Sequence, residues 1–306
     1  MRTSKLLVYR RCPLCDRAKY KTKYYKNYNI KDLEMSLFSA RRERKKKTYE
    51  HNTFVKCVNC GMIYANPILN PSVTEKLYKE SEFNYGDQED NLKTSYGAFL
   101  RHAKKYFSNG KNLLDIGAGN GFFLTEALNQ GYINCYGVEP SKQAIRLANE
   151  KVKENIINGP LKDNQFKSNF FDIITIFQTI DHLEYPNEAL SICNNYLKKG
   201  GLLLCISHDV DSLSSKIMGE RSPIFDIEHT QLFSKRTISE ILRKNGFEVL
   251  EIINFSNKYS LRYIIKLSPL SKPIKKLFIK IFKSTNLLDK KMNIRLGNFG
   301  VIARKN

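Results

Sequence analysis

The sequence predicts an α/β protein in which a mostly parallel sheet, covered by helices, follows a small cysteine-bearing module. Three observations lead there. From Lys111 onward, short apolar runs alternate with segments of helical period, the pattern of a parallel sheet packed between helices. A glycine-rich turn, Gly117-Ala118-Gly119-Asn120-Gly121, joins the first such run to the first such helix. Four of the seven cysteines fall into two Cys-x-x-Cys pairs, Cys12/Cys15 and Cys57/Cys60.

Each element follows from its local pattern. Asn112–Gly117 is a short apolar strand and Phe122–Gln130 a helix. Asn134–Glu139 is a strand, and Ser141–Lys151 a helix with Ser141 as its N-cap. Ile156–Gly159 is a weak strand, and Phe171–Ile180 is apolar throughout, as suits a central strand buried on both faces. Pro186–Lys199 reads as a helix stopped by Gly200-Gly201. Leu202–Ser207 is a strand, Lys235–Asn245 a helix stopped by Gly246, and Phe247–Phe255 and Phe299–Arg304 are the last two strands, the final one antiparallel. Between them lies an insertion of roughly forty residues, long for a compact domain. The chain thus divides into a module at 1–70, a helical connector at 71–110, and an α/β domain at 111–306 with its insertion at about 258–296.

With 306 residues the chain has room for about two domains. Its 42% hydrophobic and 26% charged residues are those of a globular protein. No run approaches the ~18–20 apolar residues that cross a bilayer, and Met1–Arg11 lacks the apolar core of a signal peptide. A cytoplasmic location is the expectation. The net charge of +21 suits nucleic acid, a membrane surface or an acidic substrate, or else reflects a diffuse enrichment in Lys. Two stretches rise above that background, Arg41–Lys47 and Lys272–Lys283.

The glycine turn decides the cofactor. A strand-to-helix turn against a ligand needs glycines, and Glu139 ends the next strand about twenty residues on, where a carboxylate can accept both ribose hydroxyls of a nucleoside. A nicotinamide dinucleotide site shares that acid but places its third glycine one position later, where this chain has Phe122. Asp115, just before Gly117, has no role in cradling a pyrophosphate. It can anchor the turn and the cationic methionine end of S-adenosylmethionine (SAM). Gly117, Gly119, Gly121, Asp115, Glu139 and Gln178 are therefore the expected SAM site.

Residues 111–256 resemble a class I SAM-dependent methyltransferase with a Rossmann-like fold, through the motif above and through Phe171-Asp172-Ile173-Ile174 leading to Asp181-His182-Leu183. The resemblance extends upstream through Cys12-Pro13-Leu14-Cys15, Ser39-Ala40-Arg41-Arg42, Cys57-Val58-Asn59-Cys60-Gly61 and Asn66-Pro67, which look like the zinc-ribbon head of some of these enzymes. Downstream it includes Asp211-Ser212-Leu213, His229 and Phe233-Ser234. It implies methyl transfer, with sugars, surface polysaccharides and lipids as frequent acceptors. Many such enzymes carry an acid after the third strand to contact adenine. Here Asn158-Gly159-Pro160-Leu161 stands in that place, which leaves backbone groups or Leu161 for the task.

Four thiolates in two tight knuckles suffice for one tetrahedral zinc, with Cys12, Cys15, Cys57 and Cys60 as ligands. A redox pair would need a thioredoxin-like context that Cys12 lacks. An all-cysteine set leaves no open position, so this zinc is structural.

Ligands of open α/β sheets bind beyond the carboxyl ends of the strands, which places Gln178, Asp181, His182, His208, Asp209 and His229 at the working edge. His182 is the first candidate to take a proton from an acceptor hydroxyl, and His229, in Ile227-Glu228-His229-Thr230, is the second, with Glu228 or Asp226 holding its tautomer. His208 reads as a surface residue at a strand end. The Asn/Asp-Pro-Pro-Tyr/Phe of exocyclic amine methylases, the loop cysteine of cytosine C5 methylases and the core lysine of ribose methylases all lack counterparts here. The leading expectation is methylation of a small molecule, a hydroxyl of a sugar or lipid-linked glycan. An RNA methyltransferase gripping through the zinc head and Arg41–Lys47, and a non-catalytic zinc- and SAM-binding adaptor, are the alternatives.

Within the insertion, Pro273 can open a helix on which Ile274, Leu277, Phe278 and Ile281 share one face, while Lys272, Lys275, Lys276, Lys280 and Lys283 fall mostly on the other. Such a basic amphipathic helix can lie in a membrane interface, giving peripheral contact at the inner membrane face, or pack on its own domain.

Overall fold

The computed structural model describes residues 6–26, 51–81, 86–268, 270–283, 287–288 and 290–306. The basic run Arg41–Lys47 and the Ser39–Arg42 segment lie outside them.

The N-terminal segment contributes β1 (Leu7–Val8), β2 (Tyr20–Tyr24), β3 (Phe54–Cys57), β4 (Ile63–Ala65) and β5 (Ile68–Leu69). Helix α1 (Pro71–Lys79) starts on Pro71 behind an Asn70 cap whose side chain accepts from Ser72 N, and α2 (Glu89–Ala103) follows. The α/β part then runs β6 (Asn112–Ile116), α3 (Phe122–Asn129), β7 (Asn134–Glu139), α4 (Lys142–Arg146), α5 (Glu150–Lys153), β8 (Ile156–Asn158), β9 (Phe171–Phe177), α6 (Pro186–Tyr196), β10 (Leu197–His208), α7 (Leu213–Met218), β11 (Gln231–Leu232), α8 (Lys235–Lys244), β12 (Phe247–Ser260), α9 (Leu261–Leu267), α10 (Lys272–Phe282) and β13 (Lys291–Lys305).

Seven strands form the central sheet in the order β12-β13-β10-β9-β6-β7-β8, parallel from β10 to β8, with β13 antiparallel to both of its neighbours. This is the expected Rossmann-like α/β fold. The order runs outward from β6 in both directions, so the carboxyl ends of β6 and β9 flank a crevice. Every residue of β9 is buried, as its unbroken apolar run requires. At the opposite edge Asp172 accepts from the backbone N–H groups of Lys111 (2.8 Å) and Asn112 (2.9 Å) and from Lys198 Nζ (2.6 Å), tying the starts of three adjacent strands together.

Three sequence expectations are corrected. The helix from Ser141 breaks after Arg146, because the Asn149 side chain accepts from Lys151 N and starts a new turn of its own, α5. Helix α6 ends at Tyr196 and not at Lys199: Leu197 is buried and pairs with Phe171, so sheet pairing claims the residues that helical propensity would extend, and Gly200, at φ +76°, makes a bulge within β10. The insertion is shorter than expected, since β12 and β13 continue past the sheet as a paired arm from Asn257↔Ile294 to Ser260↔Lys291, and α9 and α10 close its end.

The head is built into the α/β part. Its four-stranded sheet has the order β11-β4-β3-β2, so its edge strand, Gln231–Leu232, comes from the segment after β10. Cys12, Leu14, Val55, Met62 and Tyr64 share one buried cluster with Phe233, Ile238, Ile241 and Leu242. Side chains of the larger part cap the carbonyls of the cysteine knuckles: Lys244 Nζ donates to Leu14 O (3.0 Å) and Arg236 Nη2 to Cys60 O (2.6 Å).

Candidate functional site

The crevice is a cavity of about 650 Å³, running from the glycine turn to His182 and His208 and outward between α7, α9 and β13. Gly117, Gly119 and Gly121 have φ of +77°, +56° and +69°, a region that side-chain-bearing residues rarely enter. A Cβ on Gly117 would collide with the Thr179 side chain, and one on Gly121 with Val152 and Ile156. The third glycine, though one position early for a dinucleotide site, thus still serves close packing.

The expected cofactor residues converge on one wall. Glu139 takes Gly119 N–H on Oε2 (2.8 Å) and Ser141 N–H on Oε1 (2.7 Å), so the turn and the acid position each other. Burial raises its pKa to about 7, against the lowering effect of those two N–H groups. Asp115 accepts the Thr175 hydroxyl at 2.6 Å, and burial likewise lifts it to about 7. Gln178, at φ +53°, donates its N–H to Ile206 O (2.8 Å), and its buried Oε1 has no hydrogen-bond partner among the described residues. The wall is therefore a set of acceptors: two carboxylates and one orphaned amide oxygen, beneath a turn that admits no side chain. SAM brings matching donors in its ribose hydroxyls and its ammonium group, so the residues present fit it. Gly159, Pro160 and Leu161 line the same cavity.

Elsewhere His182 and His208 line the cavity, and His229 packs against both rings. His182 sits in a single 3₁₀ turn, Ile180–His182, after β9, and its Nδ1 lies 2.9 Å from the Tyr78 hydroxyl and 3.8 Å from Glu228 Oε2. Burial, helped by the facing His229, pushes its pKa down to about 3, so the ring is neutral. His229 packs edge-to-face on His182 at 4.8 Å between ring centroids. Its Nδ1–H donates to Ile224 O at 2.6 Å, so a backbone carbonyl sets the tautomer where Glu228 or Asp226 was expected to. Burial holds its pKa below the ordinary value.

His208 is a correction. It ends β10 beside the residues that follow β9, and its Nδ1 lies 3.1 Å from Asp181 Oδ2, with the ring lining the cavity. Asp181 is only 2% exposed and also accepts from Ser207 Oγ at 2.5 Å. Burial would raise its pKa, but His208, His229 and Ser207 together hold it below the usual carboxylate range. Tyr78 and Ser207 were missed as members of the site, and no local pattern marks either. Asp181, expected at the working edge from its place between a buried strand and His182, is brought against His208 and Ser207 there.

Away from the cavity, Cys12, Cys15, Cys57 and Cys60 bring their sulfurs within 4.8 Å of one another, with Cys12–Cys60 and Cys15–Cys57 at 3.5 Å. Zn–S bonds of ~2.3 Å put sulfurs roughly 3.8 Å apart, so the cluster is compatible with one tetrahedral zinc. Cys135, Cys193 and Cys205 are buried singly.

Comparison with known proteins agrees with this geometry. The family described as a methyltransferase domain matches residues 89–252. An uncharacterised protein of Methanocaldococcus jannaschii is 32% identical over 194 residues, 59% of this chain and 77% of its own length. A ubiquinone biosynthesis O-methyltransferase of Glaesserella parasuis is 30% identical over 104 residues, which cover 31% of this chain and 44% of that enzyme. Among solved structures, a SAM-dependent methyltransferase of Archaeoglobus fulgidus aligns over 71% of this chain and 97% of its own, at 23% identity and a TM-score of 0.48. A strand-tip acid gripping a glycine turn, within a family match over more than half the chain, leaves one assignment: the chain belongs to the methyltransferase-domain family and is a class I SAM-dependent methyltransferase.

Proposed function

We propose that the enzyme methylates a hydroxyl of a small amphipathic acceptor, a sugar or lipid-linked glycan, presented at an anionic membrane surface. The observation that carries this reading is the cavity's outer wall. Ser214, Met218, Ile264, Ser268 and Leu296 line it from within, while Leu213 and Ile217 on α7, and Met292 with Leu296 on β13, are exposed on the same elements. Helix α10, which packs on α9, leaves its apolar stripe in the open: Ile274 is 42% exposed, Leu277 57%, Phe278 38% and Ile281 55%. A helix packed on its own domain would bury that stripe, so its exposure favours the interfacial alternative.

SAM, when bound, supplies a methyl group already activated by its sulfonium. The protein's task is then to hold the two ends and position the acceptor oxygen. Asp115, Glu139 and Gln178 bind on the donor side. On the acceptor side, with Nδ1–H of His182 donating to the Tyr78 hydroxyl, Nε2 is the lone-pair nitrogen that accepts from the acceptor hydroxyl. His229 supports the ring of His182 from the side. Incubating a cell extract with methyl-labelled SAM and the enzyme places label in the organic-extractable fraction, and His182→Ala reduces that transfer by roughly 10²–10⁴-fold without weakening SAM binding. Label in RNA overturns the reading, and undiminished transfer by the variant removes His182 from it.

The four-cysteine head is proposed to hold one structural zinc. Because β11 belongs both to its sheet and to the segment bearing His229, chelation unfolds the head, loosens that segment and leaves the seven-stranded sheet folded. Metal analysis of protein purified under reducing conditions then finds about one zinc per chain, and a metal-free protein with unchanged thermal stability contradicts the proposal.

Membrane contact is tested by sedimentation with anionic vesicles. Wild type pellets, whereas Leu277→Glu/Phe278→Glu stays in the supernatant while remaining folded. Equal pelleting of the two, or an unfolded double variant, overturns the interfacial role.

A further inference from the structure

Asp181, His208 and His229 form a second metal-competent group, separate from the cysteines. Their ligand-capable atoms all lie within 4.8 Å of one another. We propose that these three residues bind a divalent first-row transition-metal cation at the floor of the acceptor cavity. Two imidazoles and one carboxylate make a borderline donor set that suits Mn, Fe, Co or Zn better than Mg or Ca.

Four features of the group are those of a built metal site. First, the ligands come from three different segments: after β9, at the tip of β10, and before β11. Second, each has the support that ligands need. Nδ1–H of His229 is spent on Ile224 O at 2.6 Å, which leaves Nε2 as the lone-pair nitrogen. Ser207 Oγ engages Oδ1 of Asp181, leaving Oδ2 toward His208.

Third, the segments are locked to one another. Thr230 N–H donates to Asp181 O at 2.8 Å, and Gln231 Nε2 donates to Ile180 O at 2.8 Å and to Leu183 O, so the residues beside His229 fix the backbone that carries Asp181. Fourth, the separation of His208 Nδ1 and Asp181 Oδ2, 3.1 Å, is one that two ligands of a common ion adopt when each bond is roughly 2.1 Å.

The group is partly open. Asp181 and His229 are 2% and 5% exposed, but His208 borders the cavity that also reaches the cofactor wall. Coordination positions on that side are available to an acceptor oxygen, and a cation there favours acceptors with a second oxygen beside the hydroxyl. That assignment of acceptor class rests on the methyl-transfer reading above, whereas the cation site itself does not.

The test uses the full chain loaded with zinc at its cysteines, titrated with Co2+ and followed by calorimetry and visible absorption. We expect one further equivalent to bind, with the weak bands of a nitrogen/oxygen site and no thiolate-to-cobalt charge transfer. His208→Ala, His229→Gln and Asp181→Asn each weaken it at least tenfold, and Glu139→Gln leaves it unchanged. Hyperfine-shifted imidazole N–H resonances in the Co2+-loaded wild type provide a readout that survives a variant's failure to fold. No second equivalent, a thiolate spectrum, or the absence of shifted imidazole signals overturns the proposal. Calorimetry with SAM on the same protein separates the two failures: SAM binding without cobalt binding defeats only the cation site, and cobalt binding without SAM binding defeats only the methyl-transfer reading.

Discussion

The pairing of Gln231–Leu232 with Ile63–Tyr64 is the constraint on which the acceptor side depends. This two-residue strand turns the segment after β10 into part of the head's sheet. Through it the position of His229 is set from both directions: by the cysteine-bearing module on one side, and by the bonds of Thr230 and Gln231 to the Asp181 turn on the other. Arg10 reinforces the junction. Its guanidinium donates to the carbonyls of Ala65 (3.1 Å), Glu184 (2.6 Å) and Thr230, and burial lowers its pKa to about 10. A charge so deeply placed is tolerable because carbonyls surround it. The head is thus a buttress for the site more than an appendage, and its distance from the methyl-transfer centre does not make it independent of that centre.

The cofactor side works differently, because it takes no support from the head. Glu139 and the glycine turn hold each other through backbone N–H groups. Burial of Glu139 and Asp115 in an apolar cavity leaves both acids near neutrality in pKa, which is the electrostatic cost of a wall made only of acceptors. A ligand that brings hydroxyl and ammonium donors relieves that cost, and one that brings phosphates increases it. The same wall therefore favours a cationic nucleoside and disfavours a dinucleotide, independent of the glycine spacing.

Much of this was legible in the residues. The succession of strands and helices followed from alternating patterns. The cofactor wall was expected from the early third glycine, Gly121, and from Asp115 beside a strand-tip acid, Glu139, and the cysteine cluster from two knuckles. What stayed hidden has a physical reason in each case. Gly200 looked like a helix stop because a bulged glycine and a capping glycine share the same dihedral preference, and only the pairing of Leu197 with Phe171 tells them apart. His208 looked like a surface residue because nothing in the chain declares that β9 and β10 are neighbours, and that adjacency is what brings Asp181 to it. Tyr78 reaches His182 across 104 positions of sequence, a contact no local pattern encodes. The extent of β12 and β13 was hidden because their outer residues, among them Asn257, Lys258, Ser260, Lys291 and Asn293, break the apolar run and pair only with each other.

The central claim is that the acid at the tip of β7 and the glycine turn form a SAM site. Calorimetry of SAM binding to wild type and to Glu139→Ala tests it most directly. The account predicts that SAM binds the wild type and binds the folded variant roughly one to two orders of magnitude more weakly, the loss expected when a charged acceptor of ligand hydroxyls is removed. Unchanged SAM affinity in the variant, or a wild type that binds a nicotinamide dinucleotide and not SAM, would contradict it.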